Sequence, residues 1–182
     1  MLKNKLHRLP YCLMAIAALT LSAGCSKDDP VEDVDEINVV AYASYTVKLE
    51  YPADELTLFD ITAEYTSTTG GMTTETINGV WSKTIDFKSF PADFSLTVRL
   101  KLKEGVELTK DHYEFGCNQS RKMIVHYADG STDSGDSMSS NGALSVAADK
   151  IAQYAEKHSE DVKIAFTVDL NADRSNVVRT DK

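Results

Sequence analysis

The sequence FSLTVRLKLK, residues 94–103, alternates apolar and other side chains without a break. Phe94, Leu96, Val98, Leu100 and Leu102 fall on one side, and the residues between them are polar or charged. Successive side chains of a β-strand point to opposite faces of a sheet, so a period of two predicts a strand with one buried face. No other segment of the chain alternates as cleanly, and it makes a mainly β fold the first expectation.

Shorter segments with the same period lie on both sides of this strand. They cover residues 39–51, 59–66, 72–77, 80–87, 113–117, 123–127 and 162–170. Gly70-Gly71 and Asn78-Gly79 are turn signals, because glycine tolerates a positive φ. Seven or eight short strands without regular βα alternation predict an antiparallel β-sandwich, immunoglobulin-like in architecture. A closed β-barrel is the alternative, since a meander of such strands can also close on itself.

Three later segments do not alternate. Residues 129–142 are rich in Asp, Ser and Gly, a composition that predicts a loop. From Leu144 to Lys157 apolar residues recur at helical spacing, which predicts one helix in the C-terminal half. A single sandwich domain is therefore expected over residues 37–172, followed by a frayed polar tail at 173–182.

The first 24 residues differ in kind from the domain. Lys3, Lys5 and Arg8 precede an apolar run from Leu9 to Leu21, and small residues then lead to Cys25. This order is typical of a secretion signal, and the run is too short for a transmembrane helix. Residues 21–25, Leu-Ser-Ala-Gly-Cys, resemble the lipobox of bacterial lipoproteins, with Ser where Leu is commonest. The resemblance implies cleavage before Cys25 and its acylation, and several acyl chains give stable anchoring.

The residues after the cysteine carry a second resemblance. Ser26, Lys27, Asp28 and Asp29 are similar to the acidic export signal of Bacteroides-type surface lipoproteins. That resemblance implies a lipid-anchored protein on the outer face of the outer membrane. A lipoprotein facing the periplasm and a plain acidic linker are the alternatives. Residues 25–36 combine high charge with low hydrophobicity, which predicts a flexible tether.

The charge argues against a nucleic-acid partner, and the cysteine content argues against an intrachain disulfide. Removal of residues 1–24 takes away three of the 19 basic residues and none of the 28 acidic ones, so the formal charge falls from −9 to −12. Such a charge repels phosphate, and no nucleic-acid partner is expected. Cys12 leaves with the signal and Cys25 is the expected lipid site, so Cys117 has no partner for an intrachain disulfide.

The titratable residues form no recognisable catalytic or metal motif. Cys117 could pair with His112 or His126 as a nucleophile, but it alternates with apolar residues as a buried cysteine does. The histidines lack zinc-ligand spacing. The acidic residues of segment 129–136 could bind calcium weakly, although they do not match an EF-hand loop, and a solvated loop is favoured. We therefore expect no catalytic residues, no metal site and no cofactor.

One serine is a candidate for glycosylation, and two aromatic residues are candidates for ligand binding. Asp136-Ser137-Met138 resembles the sequence that Bacteroides-type organisms O-glycosylate on exported proteins, which makes Ser137 a candidate acceptor. Trp81 and Tyr42 are candidates for stacking on a sugar ring. For Trp81 a place in the core is the favoured interpretation, whereas Tyr42 lies on the polar side of its strand.

These observations predict a cell-surface lipoprotein that acts as a binding or adhesion module for a glycan or protein ligand. The alternative is a structural or accessory subunit of an outer-membrane complex, which an exposed apolar patch would mark. An enzyme is not expected, because no pair of carboxylates stands out among the many acidic residues.

Overall fold

The structure, a computed structural model, describes residues 38–182. A short 3-10 turn, Ala148–Lys150, precedes the second of its two α-helices. In chain order the elements are β1 (Val40–Glu50), α1 (Ala53–Leu58), β2 (Phe59–Thr66), β3 (Met72–Thr76), β4 (Val80–Phe87), β5 (Ala92–Leu102), β6 (His112–Phe115), β7 (Asn118–Tyr127), β8 (Thr132–Ser140), β9 (Leu144–Ala147), α2 (Ile151–Lys157), β10 (Glu160–Leu170) and β11 (Val177–Asp181).

The strands form two large sheets and one small one. Sheet A has the order β4-β1-β7-β8, and sheet B has the order β11-β10-β5-β2-β3. Strands β6 and β9 pair separately. All pairings are antiparallel, and neither large sheet closes into a barrel. The predicted antiparallel β-sandwich is therefore confirmed, and the barrel alternative is wrong.

Strand β5 lies in the middle of sheet B, between β2 and β10. Phe94, Leu96, Val98 and Leu100 are all buried, as the alternation predicts. Directly opposite residues of antiparallel strands share a face, so Leu100 faces the core together with Ile61. The apolar side chains of β2 and β10 continue this face, and the core lies between the two sheets.

Aromatic rings from both sheets meet in the centre of the core. Tyr45 of sheet A contacts Phe94 and Phe166 of sheet B edge to face, with ring centroids 5.2 and 4.8 Å apart. Phe87 reaches Phe166 in the same geometry. Such edge-to-face pairs add to the burial of apolar area and fix the rings relative to one another.

Strand β1 departs from its expected alternation at its start. The alternation of residues 39–51 places Ala41 on the apolar side together with Ala43 and Tyr45, but Ala41 is exposed and Val40 is buried. The pairing of β1 with β7 shifts register between Val40 and Tyr42. A β-bulge adds one residue to a strand and so exchanges the faces of the residues before it.

Strand β8 occupies most of the segment predicted as a loop. The turn is confined to residues 128–131, where Tyr127 N–H donates to the Ser131 carbonyl. All nine residues of β8 are exposed. A strand that buries no side chain has no apolar period, so its pairing with β7 left no signal in the sequence.

The helical regions are also smaller and more numerous than predicted. Residues 144–147 form β9, and α2 begins only at Ile151. The early helix α1 was not predicted at all, because one and a half turns give too few residues for a helical period. Across residues 38–182 no helix is long and apolar enough to span a membrane.

The predicted polar tail contains strand β11, which pairs with the edge of β10. Asn171 and Asn176 form the preceding turn, where Asn176 N–H donates to the Asn171 side chain at 2.9 Å. Five of the residues expected in a frayed tail, 177–181, therefore form a strand, because the backbone of β11 completes the ladder of sheet B.

Candidate functional site

A cavity of about 300 Å³ opens between the last strands of the two sheets, β8 and β11. We call it the edge cavity. Its lining consists of Arg121, Asp136, Ser137, Met138, Arg179 and Asp181. Two guanidinium groups and two carboxylates therefore share one small opening.

Strand register explains why both arginines point inward. Arg121 lies two residues before the buried Met123 on β7, so it shares the inner face of sheet A. Arg179 of β11 lies directly opposite the buried Val168 of β10, so it shares the inner face of sheet B. The two side chains thus enter the same space from opposite sheets.

Arg121 has unused hydrogen-bonding capacity. Its Nη2 donates to Gln119 Oε1 at 2.7 Å, but its Nε is buried without a hydrogen-bond partner. Among residues 38–182 no carboxylate lies within ion-pair distance of Arg121. Burial lowers the pKa of the Arg121 guanidinium, and Arg179 adds to this effect. An arginine stays charged even so, and a charge without a partner is unfavourable even where the side chain is half-buried, as here.

The hydroxyl of Tyr45 is the second unused group. Tyr45 is 1% exposed, and its hydroxyl has no partner. Burial raises the pKa of Tyr45, whereas the nearby charges of Arg121 and Arg179 oppose this rise. In the described part of the chain, Tyr45 Oη and Arg121 Nε are the only buried side-chain polar atoms without a partner. Native proteins satisfy nearly all such atoms with protein groups, ordered water or a ligand, so both donors are open to an acceptor from outside the chain.

Arg179 is held in place by aromatic rings and carboxylates. Its guanidinium carbon lies 4.5 Å from the ring centroid of Phe166 and 5.9 Å from that of Tyr45. Its Nη2 and Nε contact Asp181 Oδ1 at 2.6 and 2.8 Å, and Asp136 lies 4.0 Å away. Asp181 and Asp136, which line the same cavity, therefore largely neutralise Arg179. Arg121 is the cation of the lining that has no carboxylate partner among residues 38–182.

Tyr42 lies on the outer face of sheet A. Its ring is half-buried and stacks on His126 with a centroid distance of 4.1 Å and an interplanar angle of 6°. His126 therefore covers one face of the ring that was a candidate for sugar stacking.

Trp81 lies in the core with 6% exposure. Its Nε1 donates to Glu75 Oε2 at 2.9 Å, and its ring packs edge to face on Tyr65. This position agrees with the core interpretation of Trp81 and leaves little of its ring for a ligand. Tyr42 and Trp81 are not part of the edge cavity.

Ser44, Asp86 and His126 form a short hydrogen-bonded chain beside Tyr42. Ser44 Oγ donates to Asp86 Oδ1 at 2.8 Å and lies 3.1 Å from His126 Nε2. In a catalytic triad the carboxylate orients the histidine, whereas here it binds the serine hydroxyl directly. The order of the three groups is therefore not that of a triad. Their hydrogen bonds instead link three neighbouring strands of sheet A.

Cys117 is buried, and burial raises the pKa of its thiol to about 11. The thiolate is the nucleophilic form, so a raised pKa makes this cysteine unreactive. His126 is engaged with Tyr42 and Ser44, and His112 lies exposed at the start of β6. The structure gives Cys117 the environment of a core residue.

The remaining sequence predictions concern the edge strand β8, a metal site, and residues outside the described range. Ser137 is exposed on β8, a position open to a modifying enzyme. Within residues 38–182 no group of three His, Cys, Asp or Glu side chains is arranged to hold a metal ion. The lipidation site Cys25 and the segment Ser26 to Asp29 lie outside the described residues.

A buried carboxylate lies apart from the edge cavity. Glu55 of α1 is 0% exposed, and it accepts hydrogen bonds from Gly116 N–H at 2.8 Å and from the Tyr154 hydroxyl at 3.1 Å. Gly116 has a φ of 108°, and a Cβ there would lie 1.6 Å from the Gly142 carbonyl oxygen. Burial raises the pKa of Glu55 to about 7, and the charge of Asp161 acts in the same direction. Glu55 ties α1 to the turn before β7 and to α2.

Neither arginine of the edge cavity was singled out from the sequence. Arg121 could have been found, because extending the alternation of Met123 and Val125 back by two residues places it on the apolar side of β7. No comparable signal existed for Arg179, which lies in a segment expected to be frayed.

No family model matches this chain, and a search of curated proteins finds no match.

Proposed function

We propose that this chain is a surface lipoprotein, anchored to the outer membrane through Cys25, whose domain binds a ligand that carries an anionic group. The signal, lipobox and acidic segment described above support the anchor and the surface location. The edge cavity supports the binding role.

One observation carries the proposal of an anionic ligand. Arg121 lines the edge cavity and its buried Nε has no acceptor, and a carboxylate has the charge and the oxygens to accept from a guanidinium group. Leaving buried donors unpaired is unfavourable by about 1–3 kcal/mol each, so a ligand that supplies an acceptor to Arg121 would remove a cost of that order. Binding of the anion would also neutralise Arg121.

Nuclear magnetic resonance of the arginine side chains tests this proposal. The chain from residue 25 onward, with Cys25→Ser to prevent lipidation, is titrated with sodium acetate against sodium chloride of equal ionic strength. We expect acetate to shift the Arg121 Nε–Hε resonance in a saturable manner and chloride to leave it in place.

Two variants make the test specific. Arg121→Gln should abolish the saturable response of the neighbouring resonances. Arg99→Gln is the matched control, because Arg99 lies on the outer face of sheet B and is half exposed. A linear response to acetate, or a saturable one that survives in Arg121→Gln, would show that the edge cavity is not an anion site.

A further inference from the structure

Resting on the proposed function, we infer that the ligand is an extended polypeptide segment that adds to the free edge of β8 and places one acidic side chain in the edge cavity. Three features of the β8 edge support a polypeptide as the class of ligand.

The first feature is the free edge itself. Strand β8 is the last strand of sheet A, and β7 is its only strand partner in residues 38–182. Its nine residues are all exposed. A long edge strand presents unpaired N–H and C=O groups, which is the template that an added strand uses.

The second feature is the alignment of this edge with the cavity. Met138 of β8 lies directly opposite Arg121 of β7, so both side chains point to the inner face. A strand added to β8 would lie about 4.8 Å beyond it, with every second side chain on that same face. An acidic side chain at such a position enters the edge cavity beside Met138 and approaches Arg121.

The third feature is the size and chemistry of the cavity. A volume of about 300 Å³ suits a single side chain and lies at the lower limit of small-molecule pockets. None of its six lining residues is aromatic, and the guanidinium of Arg179 lies over the rings of Phe166 and Tyr45. The cavity thus offers no aromatic face to a sugar ring, which favours a polypeptide over a glycan.

The charges of β8 restrict the ligand further. Asp133 and Asp136 lie on the strand that the ligand would pair with, and the chain as a whole is acidic. Additional acidic residues in the ligand would be repelled. The preferred segment therefore has one acidic residue among neutral, strand-forming ones.

Synthetic peptides test the inference on the Cys25→Ser chain from residue 25 onward. The probe is the capped peptide Thr-Val-Thr-Glu-Thr-Val-Thr, and its partner has Gln in place of Glu. Calorimetry should give at least a tenfold weaker affinity for the Gln peptide. Arg121→Gln should lower the affinity for the Glu peptide to the same degree, whereas Arg99→Gln should leave it unchanged.

Two further peptides separate strand addition from simple charge attraction. Each carries N-methyl groups on alternate residues, in opposite phases. Only one edge of an added strand pairs with β8, so one phase should abolish binding and the other should retain it. Equal binding of both phases would overturn the inference.

Failure of the inference is distinguishable from failure of the proposed function. If acetate saturates Arg121 but the two N-methylated phases bind alike, the anion site stands and the strand addition is refuted. If di-glucuronic acid binds more tightly than the Glu peptide, the ligand is a glycan and the inference is overturned. If neither acetate nor peptide binds at Arg121, both proposals fail.

Discussion

Replacement of Glu55 by Gln should change how the stability of the domain depends on pH. Glu55 is fully buried, and its carboxylate accepts hydrogen bonds from Gly116 and Tyr154. Burial raises its pKa from 4.5 to about 7 in the folded state. The folded state therefore holds this proton more tightly than the unfolded chain. The stabilisation is fully present below pH 4.5 and is lost as the pH rises through 7.

The size of the effect follows from the two pKa values. A rise from 4.5 to about 7 corresponds to roughly 3 kcal/mol of stability. Between pH 5 and pH 8 the native chain should therefore lose about 2–3 kcal/mol through this group. Glu55→Gln has no proton to lose, its carbonyl oxygen can still accept from Gly116, and its amide can donate to the Tyr154 hydroxyl. The variant should match the native chain at pH 5 and be the more stable at pH 8.

Urea denaturation at pH 5, 6, 7 and 8 measures the difference, since the free energy of unfolding extrapolates linearly to zero denaturant. Glu114→Gln is the control, because Glu114 is exposed on the neighbouring strand β6. The difference between variant and native chain cancels the other titrating groups. The reasoning is refuted if Glu55→Gln keeps the pH dependence of the native chain, or if it is the less stable protein at pH 8.

The remaining predictions concern the core, the cavity and the anchor. Leu100→Ala should lower the free energy of unfolding by about 2–5 kcal/mol, and Arg99→Ala on the opposite face by well under 1 kcal/mol; equal losses in urea denaturation would contradict the register of β5. Tyr45→Phe should leave the stability of the ligand-free domain unchanged or raised, because its hydroxyl has no partner; a loss above about 1 kcal/mol in the same assay would reveal a missed bond. Cys25→Ala should release the processed protein from the membrane fraction, and processed protein that still sediments with membranes would disprove the lipid anchor. Alanine at all of residues 27–29 should preserve lipidation but reduce cleavage by external protease, whereas unchanged cleavage would identify these residues as linker.

The sequence determined those parts of the fold that bury side chains. Alternation predicted the inward face of β5 correctly from Phe94 to Leu100, and it did the same for β2 and β10. A strand with one buried face must place apolar residues at every second position, so its inward face can be predicted without knowing its partner strands. The order of charged, apolar and small residues in the N-terminal segment is also a local property. Residues 1–29 alone therefore suggest a lipid anchor and a location on the cell surface.

Only the tertiary structure decided where strands form without burial. Strand β8 is exposed throughout, and β11 lies in a segment of polar composition. Both exist because their backbones complete the edges of sheets whose inner strands are fixed by the core. Backbone pairing is almost independent of side-chain type, so hydropathy carries no record of it.

The candidate site depends both on the local sequence pattern and on the tertiary structure. Arg121 is inward-pointing by its place in the alternation of β7, a fact that one sequence can reveal. Arg121 and Tyr45 lie on adjacent strands of sheet A. Arg179 lies on sheet B, 58 positions further along the chain than Arg121, and it reaches both residues only because the two sheets pack face to face. The interaction energy of a charge depends on the groups around it in space. Long-range packing places those groups, and local sequence patterns do not encode it.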